Sequence, residues 1–212
     1  NTLTQRYTAE AINFIHDHRE DPFFLYFPHT FPHKPWHVSQ EFKGASRFGL
    51  YGDVVEELDN SVLQMVNTIS ELGLDSNTII IFSSDNGSIS TLGKHSTGGL
   101  RGYKRSLFEG GIRVTTVIQW QGHIPQGSVN NQPAVMTDWM ANFASILDVK
   151  LPDSITYDSR DLSEYLMRKD ESIEPIFFYD KEDLKAMRYG RWKFISEYND
   201  PFDQFYLGDM LF

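Results

Sequence analysis

The chain has 212 residues, of which 40% are hydrophobic and 14% aromatic, so it can bury a substantial core in one domain or in one domain with a small appendage. Acidic residues outnumber basic ones by 29 to 19, and the formal net charge of −10 disfavours nucleic acid and anionic membranes as partners. The absence of cysteine excludes a disulfide scaffold, a thiolate metal site and a cysteine nucleophile within this chain, and no apolar run approaches the ~20 residues of a membrane span.

The first predicted elements are a helix, a strand and a histidine-containing loop. Apolar residues at helical spacing predict a helix over residues 4–18. The segment PFFLYFPH predicts a strand over 23–27, and its apolar character is typical of a strand buried on both faces of a sheet. The next loop contains His29, His33 and His37 among prolines and aromatic residues. A histidine just beyond a strand end could bind an anion or donate a proton, although a loop histidine without function is the more common case.

A second helix and strand complete a strand–helix–strand unit. An apolar stripe predicts a helix over residues 53–72 that ends at Gly73, and TIIIFS predicts a strand over 78–83. This order favours an α/β fold with a mostly parallel sheet flanked by helices. Asp85 and Asn86 follow the strand directly, and their oxygen atoms suit calcium or magnesium. A simple Asx turn at the strand end is the competing interpretation.

A glycine-rich segment over residues 87–111 leads to the next strand. Its length is typical of a functional loop. Lys104 within it can reach an anionic oxygen as a mobile point charge, although an exposed lysine without function is the alternative. Glu109 and the arginines of the loop are expected to form ion pairs that brace it. A strand over 114–120 and a helix over 136–149 follow.

The C-terminal part of the chain has a different pattern. Short alternating segments predict strands over 175–180, 185–195 and 203–207, the second with a bend at Gly190, and these strands would form a small antiparallel sheet. The predicted organisation is therefore a larger α/β domain over residues 1–170 and a small antiparallel subdomain over 171–212.

Five motifs in this order resemble the sulfatase family and are similar to the arylsulfatases of the alkaline-phosphatase superfamily; they are PFFLYFPHTFPHKP, GDVVEELDNSV, NTIIIFSSDNG, GGLRGYKRSLFEGGIRV and MRYGRWKFI. The resemblance implies a sulfuric ester hydrolase of alkaline-phosphatase-like fold, with Asp85 and Asn86 as ligands of calcium rather than magnesium. Lys104 and His33 would contact the sulfate, and His33 would also protonate the leaving alkoxide, with His29 as the second choice. The substrate would be a sulfated small molecule or sulfated glycan, and the family's compartments are secreted, periplasmic or lysosomal.

Members of this family attack the sulfur with a hydrated formylglycine that is made from a C/S-x-P-S-R motif. That motif, an Asp-Asp metal pair and a flanking basic cluster are not in the chain, and in the family they precede the segment present here. The loop that usually reads GGKG reads GYKR, with Tyr103 and Arg105 in place of glycines. The resemblance thus implies the C-terminal portion of a sulfatase, inactive alone, which needs the N-terminal half of the same protein for its formylglycine.

Two other functions stay open at this point. A phosphodiesterase or phosphonate hydrolase of the same superfamily would use the same sheet, but such relatives usually place a histidine where this chain has Asn86. A non-catalytic, sulfatase-like binding module would lack the upstream nucleophile altogether.

Overall fold

A computed structural model of the chain describes residues 2–92, 94–164, 174–202 and 209–212. Two compact units are present. The first contains the chain up to Ile80 together with Trp120–His123, and the second contains Ile81–Gln119 and the described residues from Ile124 onward. The predicted division near residue 170 stays a prediction.

Two packed helices dominate the first unit, α1 (Leu3–Asp17) and α2 (Gly49–Glu71). Both confirm predicted helices, and α2 begins before its predicted start. Their apolar stripes contribute to the core of this unit, with buried side chains at Ala11, Ile15, Val54, Leu58 and Ile69. Gly73, at φ +69°, reverses the chain after α2, as its sequence position predicts.

The predicted strand over residues 23–27 is wrong. The segment pairs with no other strand in the described part of the chain. Alternate residues are half-buried, whereas the side chains of Phe24 and Tyr26 are 74% and 76% exposed. The apolar pattern reports the strand propensity of the segment, but a strand also needs a hydrogen-bonding partner, and that partner is not encoded in the local pattern.

A two-stranded sheet contains β1 (Ile80–Ser83) and β2 (Thr116–Gln119), which confirms two further predicted strands. The hydroxyl oxygens of Ser83 and Thr116 lie 2.9 Å apart across it. The mostly parallel character predicted for the sheet is not confirmed and stays a prediction.

The second unit also contains a four-stranded sheet, in the spatial order β3, β4, β5, β6. Its strands are β3 (Ile176–Asp180), β4 (Asp183–Tyr189), β5 (Trp192–Ile195) and β6 (Met210–Leu211). Neighbouring strands are antiparallel, which confirms the predicted sheet type. The strand predicted over 185–195 with a bend at Gly190 is two strands, and the chain turns between them at Gly190 (φ +56°). The strand predicted over 203–207 lies outside the described residues.

Two further helices belong to the second unit, the short α3 (Glu109–Ile112) and α4 (Asp138–Ile146). Asp138 at the start of α4 is 2% exposed, and its carboxylate accepts hydrogen bonds from Nε and Nη2 of Arg160 at 3.0 and 2.5 Å. Since a buried carboxylate must be paired, this ion pair fixes α4 to the following loop. Among the described residues, no helix combines the length and the hydrophobicity needed to cross a membrane.

Candidate functional site

Asp85 and Asn86 lie just beyond the end of β1. Asp85 is exposed, and its carboxylate makes no hydrogen bond or ion pair within the described part of the chain. Asn86 is half-buried; its Nδ2 donates to the carbonyl of Gly87 at 3.0 Å, and its backbone carbonyl accepts from Ser84 Oγ at 3.1 Å. The Asp85 carboxylate and the Asn86 side-chain carbonyl are therefore both available to a ligand, and Asp85 forms no Asx turn.

A set of interlocked glycines follows this pair. Gly87 donates its N–H to the carbonyl of Gly111 at 2.8 Å. A Cβ on Gly87 would overlap the carbonyl oxygen of Gly110, and a Cβ on Gly110 would overlap the carbonyl of Gly102. Only glycine allows backbones to approach this closely, so the turn after Asn86 is fixed against the start of α3.

Lys104 is joined to the same turn through its backbone. Its N–H donates to the carbonyl of Ser88 at 2.7 Å, two residues beyond Asn86. The lysine is half-buried, and its ammonium has no hydrogen-bond or ion-pair partner among the residues that the structure describes. The hydroxyl of Ser88 is buried and likewise unpartnered in that part of the chain. The Lys104 ammonium is thus attached, through its backbone, to the segment that carries the Asp85 carboxylate and the Asn86 side-chain carbonyl, and none of these three groups has a partner in the described chain.

An open pocket of about 510 Å³ lies beside this segment in the second unit. The pocket is lined by residues from the end of β1, from the segment 105–112 that follows Lys104, and from β3. Among them are Asp85, Asn86, Arg105, Gly111, Tyr179 and Asp180. Lys104 is not one of the lining residues. The pocket therefore brings the two predicted metal ligands together with Arg105 but not with the predicted sulfate-binding lysine.

The two candidate histidines belong to the first unit. His33 is exposed, and its Nδ1 lies 2.7 Å from the carbonyl of its neighbour Lys34. His29 is half-buried, with Nε2 3.4 Å from the hydroxyl of Ser61, and Ser61 in turn lies 2.6 Å from the hydroxyl of Thr8. Burial lowers the pKa of His29. His29 thus belongs to a polar chain that includes side chains of α1 and α2, whereas the hydrogen bond of His33 within the described residues is to its neighbour Lys34.

The donor atoms at Asp85 and Asn86 fit a calcium ion in type and availability. Both are hard oxygens without competing partners in the described chain. Calcium takes six to eight oxygen ligands, however, and no cluster of three or more histidine, aspartate or glutamate side chains suited to a metal occurs among the described residues. These two residues can therefore supply only part of a calcium shell.

Sequence reasoning missed the residues that support the Lys104 segment from the C-terminal sheet. Glu109 was expected to pair with arginines of its own loop, but its partners are Arg188 on β4 and Lys193 on β5, at 3.3 and 3.0 Å. Tyr198 and Asp200, which follow β5, also bind this segment. One signal in the sequence could have pointed to this supporting role. Lys193 lies between Trp192 and Phe194 in the apolar segment WKFI, where a charged side chain is unusual.

Comparison with known proteins identifies the family. The sulfatase family model matches residues 1–149, and the chain belongs to the sulfatase family. The predicted family resemblance is thereby confirmed.

Individual relatives agree with this assignment. The chain is 36% identical to mouse N-acetylgalactosamine-6-sulfatase over 197 residues, which covers 90% of this chain and 38% of the relative. It is 36% identical to human steryl-sulfatase over 196 residues, covering 88% of this chain and 34% of the relative. A solved protein from a glycosaminoglycan-metabolism locus of Bacteroides thetaiotaomicron superposes with a TM-score of 0.82 at 32% identity, covering 93% of this chain and 44% of that one. The chain thus has the sulfatase fold and spans less than half the length of each of these relatives.

Proposed function

We propose that the chain is the C-terminal portion of a calcium-dependent sulfatase that hydrolyses sulfate esters. The observation that carries the proposal is the free Asp85 carboxylate and Asn86 carbonyl at the end of β1, on a turn to which Lys104 is joined by the 2.7 Å bond to Ser88. A carboxylate, the oxygen of a carboxamide and an ammonium, all without partners among the described residues, are the groups that would hold a divalent cation and an oxyanion side by side.

Each residue has a distinct role in the proposal. Asp85 and Asn86 would be two calcium ligands, and a bound calcium ion would withdraw charge from a sulfate oxygen. Lys104 would hold a second sulfate oxygen as charge develops during S–O cleavage. His33 would contact the sulfate and donate a proton to the leaving alkoxide, and His29 is the second candidate for that proton transfer. The nucleophile, a formylglycine, would come from a segment upstream of this chain.

The relatives' names support the reaction more strongly than any one substrate. They include a sulfatase of N-acetylgalactosamine-6-sulfate and a steryl-sulfatase, and the solved neighbour belongs to glycosaminoglycan metabolism. A sulfated small molecule or a sulfated glycan is accordingly the proposed substrate class. An asparagine at position 86 also favours a sulfatase over a phosphatase-type relative, because two-zinc sites use more nitrogen ligands.

The Lys104→Ala variant of the intact protein tests the proposal. Turnover of an activated aryl sulfate is expected to fall by at least tenfold, because loss of one donor to the developing oxyanion typically costs about 10²–10³ in kcat. Lys150→Ala is the matched control, since the ammonium of Lys150 is exposed and pairs at the surface with Asp153 at 2.7 Å. Wild-type turnover from Lys104→Ala would remove this lysine from the site and overturn the proposed assignment.

A further inference from the structure

The segment that follows Lys104 is buried in the core of the second unit. Leu107 and Phe108 are 8% and 4% exposed, and they pack in one cluster with Ala186 on β4, Ile195 on β5 and Tyr198. Loops normally run over a protein surface, because buried backbone groups need hydrogen-bond partners. The partners of this segment therefore show what the antiparallel sheet contributes to the site.

Tyr198 satisfies two backbone groups of the segment with one hydroxyl. The hydroxyl accepts a hydrogen bond from the Leu107 N–H at 3.1 Å and donates one to the Arg105 carbonyl at 3.2 Å. Tyr198 is 3% exposed, and burial raises the pKa of its phenol, so the group stays protonated and able to donate. Its two partners are the first and third residues after Lys104.

Arg105 has a backbone that needs this support. Its φ of +80° lies in the left-handed region, which is unfavourable for a residue with a side chain. Such a conformation persists only where the surrounding contacts hold it in place. Residues in unfavourable backbone conformations of this kind cluster at functional sites. The hydrogen bond from Tyr198 to the Arg105 carbonyl is one such contact, immediately next to Lys104.

Lys193 holds the other end of the segment. It is 5% exposed, and its Nζ donates to the Leu107 carbonyl at 2.5 Å and to Glu109 Oε1 at 3.0 Å. Burial lowers the pKa of this ammonium, and the hydrogen bond and charge of Glu109 act in the opposite direction. Arg188 binds the second oxygen of the Glu109 carboxylate at 3.3 Å. Two cations from the sheet therefore clamp the residue that begins α3.

The contacts continue from this segment to the candidate metal ligands. Ser106 donates a hydrogen bond to the carboxylate of Asp200, which adds a third attachment to the C-terminal region. Beyond Glu109, the interlocked glycines join Gly110 and Gly111 to Gly87, which follows Asn86 directly. The same backbone thus connects Tyr198 and Lys193 to both the Lys104 loop and the Asp85–Asn86 turn.

We infer that Tyr198 and Lys193 are positioning residues, which fix the backbone on the C-terminal side of Lys104 and, through α3, the turn at Asp85 and Asn86. The inference rests on the proposed function for its catalytic consequence, since it assumes that Lys104 contacts the sulfate. Its structural part depends only on the contacts of Tyr198 and Lys193. Both residues act through the backbone of the segment. Tyr198 also lines the pocket that contains Asp85 and Asn86, but its hydroxyl is already engaged by the Leu107 N–H and the Arg105 carbonyl.

Residue-level hydrogen exchange of the Tyr198→Phe variant in the intact protein tests the structural part. Loss of the hydroxyl leaves the Leu107 N–H and the Arg105 carbonyl unpaired, so exchange is expected to be about tenfold faster at the amides of Lys104, Leu107 and Gly87. Amides of the β4–β5 pair should keep their wild-type rates. Tyr189→Phe is the matched control, because Tyr189 lies on the same sheet and is 53% exposed. A uniform acceleration over the second unit, or no acceleration near Lys104, would overturn the inference.

Steady-state kinetics of the same variant test the catalytic part. A displaced Lys104 should cost the transition state more than the bound substrate, so kcat is expected to fall about tenfold while KM stays close to wild type. Lys193→Met, which removes the other clamp, should give the same split. Local acceleration of exchange with wild-type kcat would overturn the positioning role. Failure of the proposed function would show differently, as wild-type turnover from Lys104→Ala.

Discussion

The loop around His33 and the segment from Asp85 to Gly111 carry the candidate chemistry of the two units, but they are held in different ways. The nearest polar contact of His33 is to the adjacent Lys34, and the Trp36 indole donates to Pro32 within the same loop at 2.9 Å. The 85–111 segment instead receives hydrogen bonds from Tyr198 and Lys193, 91 and 86 residues from Leu107. Long-range support fixes a group in advance of the reaction, whereas local contacts leave its position to whatever binds there.

The largest loss of stability is expected in the 85–111 segment, from the Gly87→Ala variant. The new Cβ would overlap the backbone carbonyl of Gly110, which no rotamer change can relieve, so the free energy of unfolding should fall by about 3 kcal/mol or more. Urea denaturation of the intact protein measures it. Gly127→Ala is the control, because Gly127 has open space around it and only its φ of +70° penalises a side chain. Equal losses from the two variants would show that the backbone at Gly110 can move away from a Cβ at position 87.

A smaller effect on stability is expected from the protonation of His29 as the pH falls. Because burial lowers its pKa, the unfolded chain takes up a proton at a higher pH than the folded one. The stability contributed by the neutral imidazole is therefore present above the ordinary value of 6.5 and is lost as the pH falls below it. Unfolding free energies measured between about pH 8 and pH 5 should decline less steeply for His29→Gln than for the wild type. Parallel curves would contradict a half-buried His29 that is neutral in the folded state.

The smallest expected effect on stability is that of His33→Ala. Among the described residues, this exposed histidine is hydrogen-bonded to the next carbonyl alone, so its loss should change the free energy of unfolding by no more than about 0.5 kcal/mol. In the intact protein the same variant should slow hydrolysis of sulfate esters with poor leaving groups more than that of an activated aryl sulfate, because only the former need a proton donor. A destabilisation comparable to that of Gly87→Ala would instead place His33 in the structural core, and equal kinetic losses on both substrates would limit it to sulfate binding.

The elements that the sequence predicts correctly are those whose pattern is complete within one segment. The apolar stripes of α1 and α2, the turn at Gly73 and the position of Asp85 and Asn86 after β1 depend on neighbouring residues. The prediction of a strand over 23–27 was wrong, because a strand also requires a second segment to which its backbone can hydrogen-bond. The partners of the loop that contains Lys104 were not predicted for a similar reason, since contacts between residues about 90 positions apart leave no trace in local periodicity. The roles of His29, His33, Asp85, Asn86 and Lys104 stay predictions.

The segment over residues 23–27, which lies in no sheet of the described chain, also affects how the protein can be handled. It presents Phe24 and Tyr26 to solvent, and its backbone pairs with no strand in the described chain. Exposed apolar backbone of this kind is a template for intermolecular β-pairing, which other proteins suppress with charged residues or bulges on their edge strands. Between Phe23 and Phe27 the chain has no such gatekeeper residue. Any preparation in which this segment remains uncovered should therefore be prone to aggregate from this point.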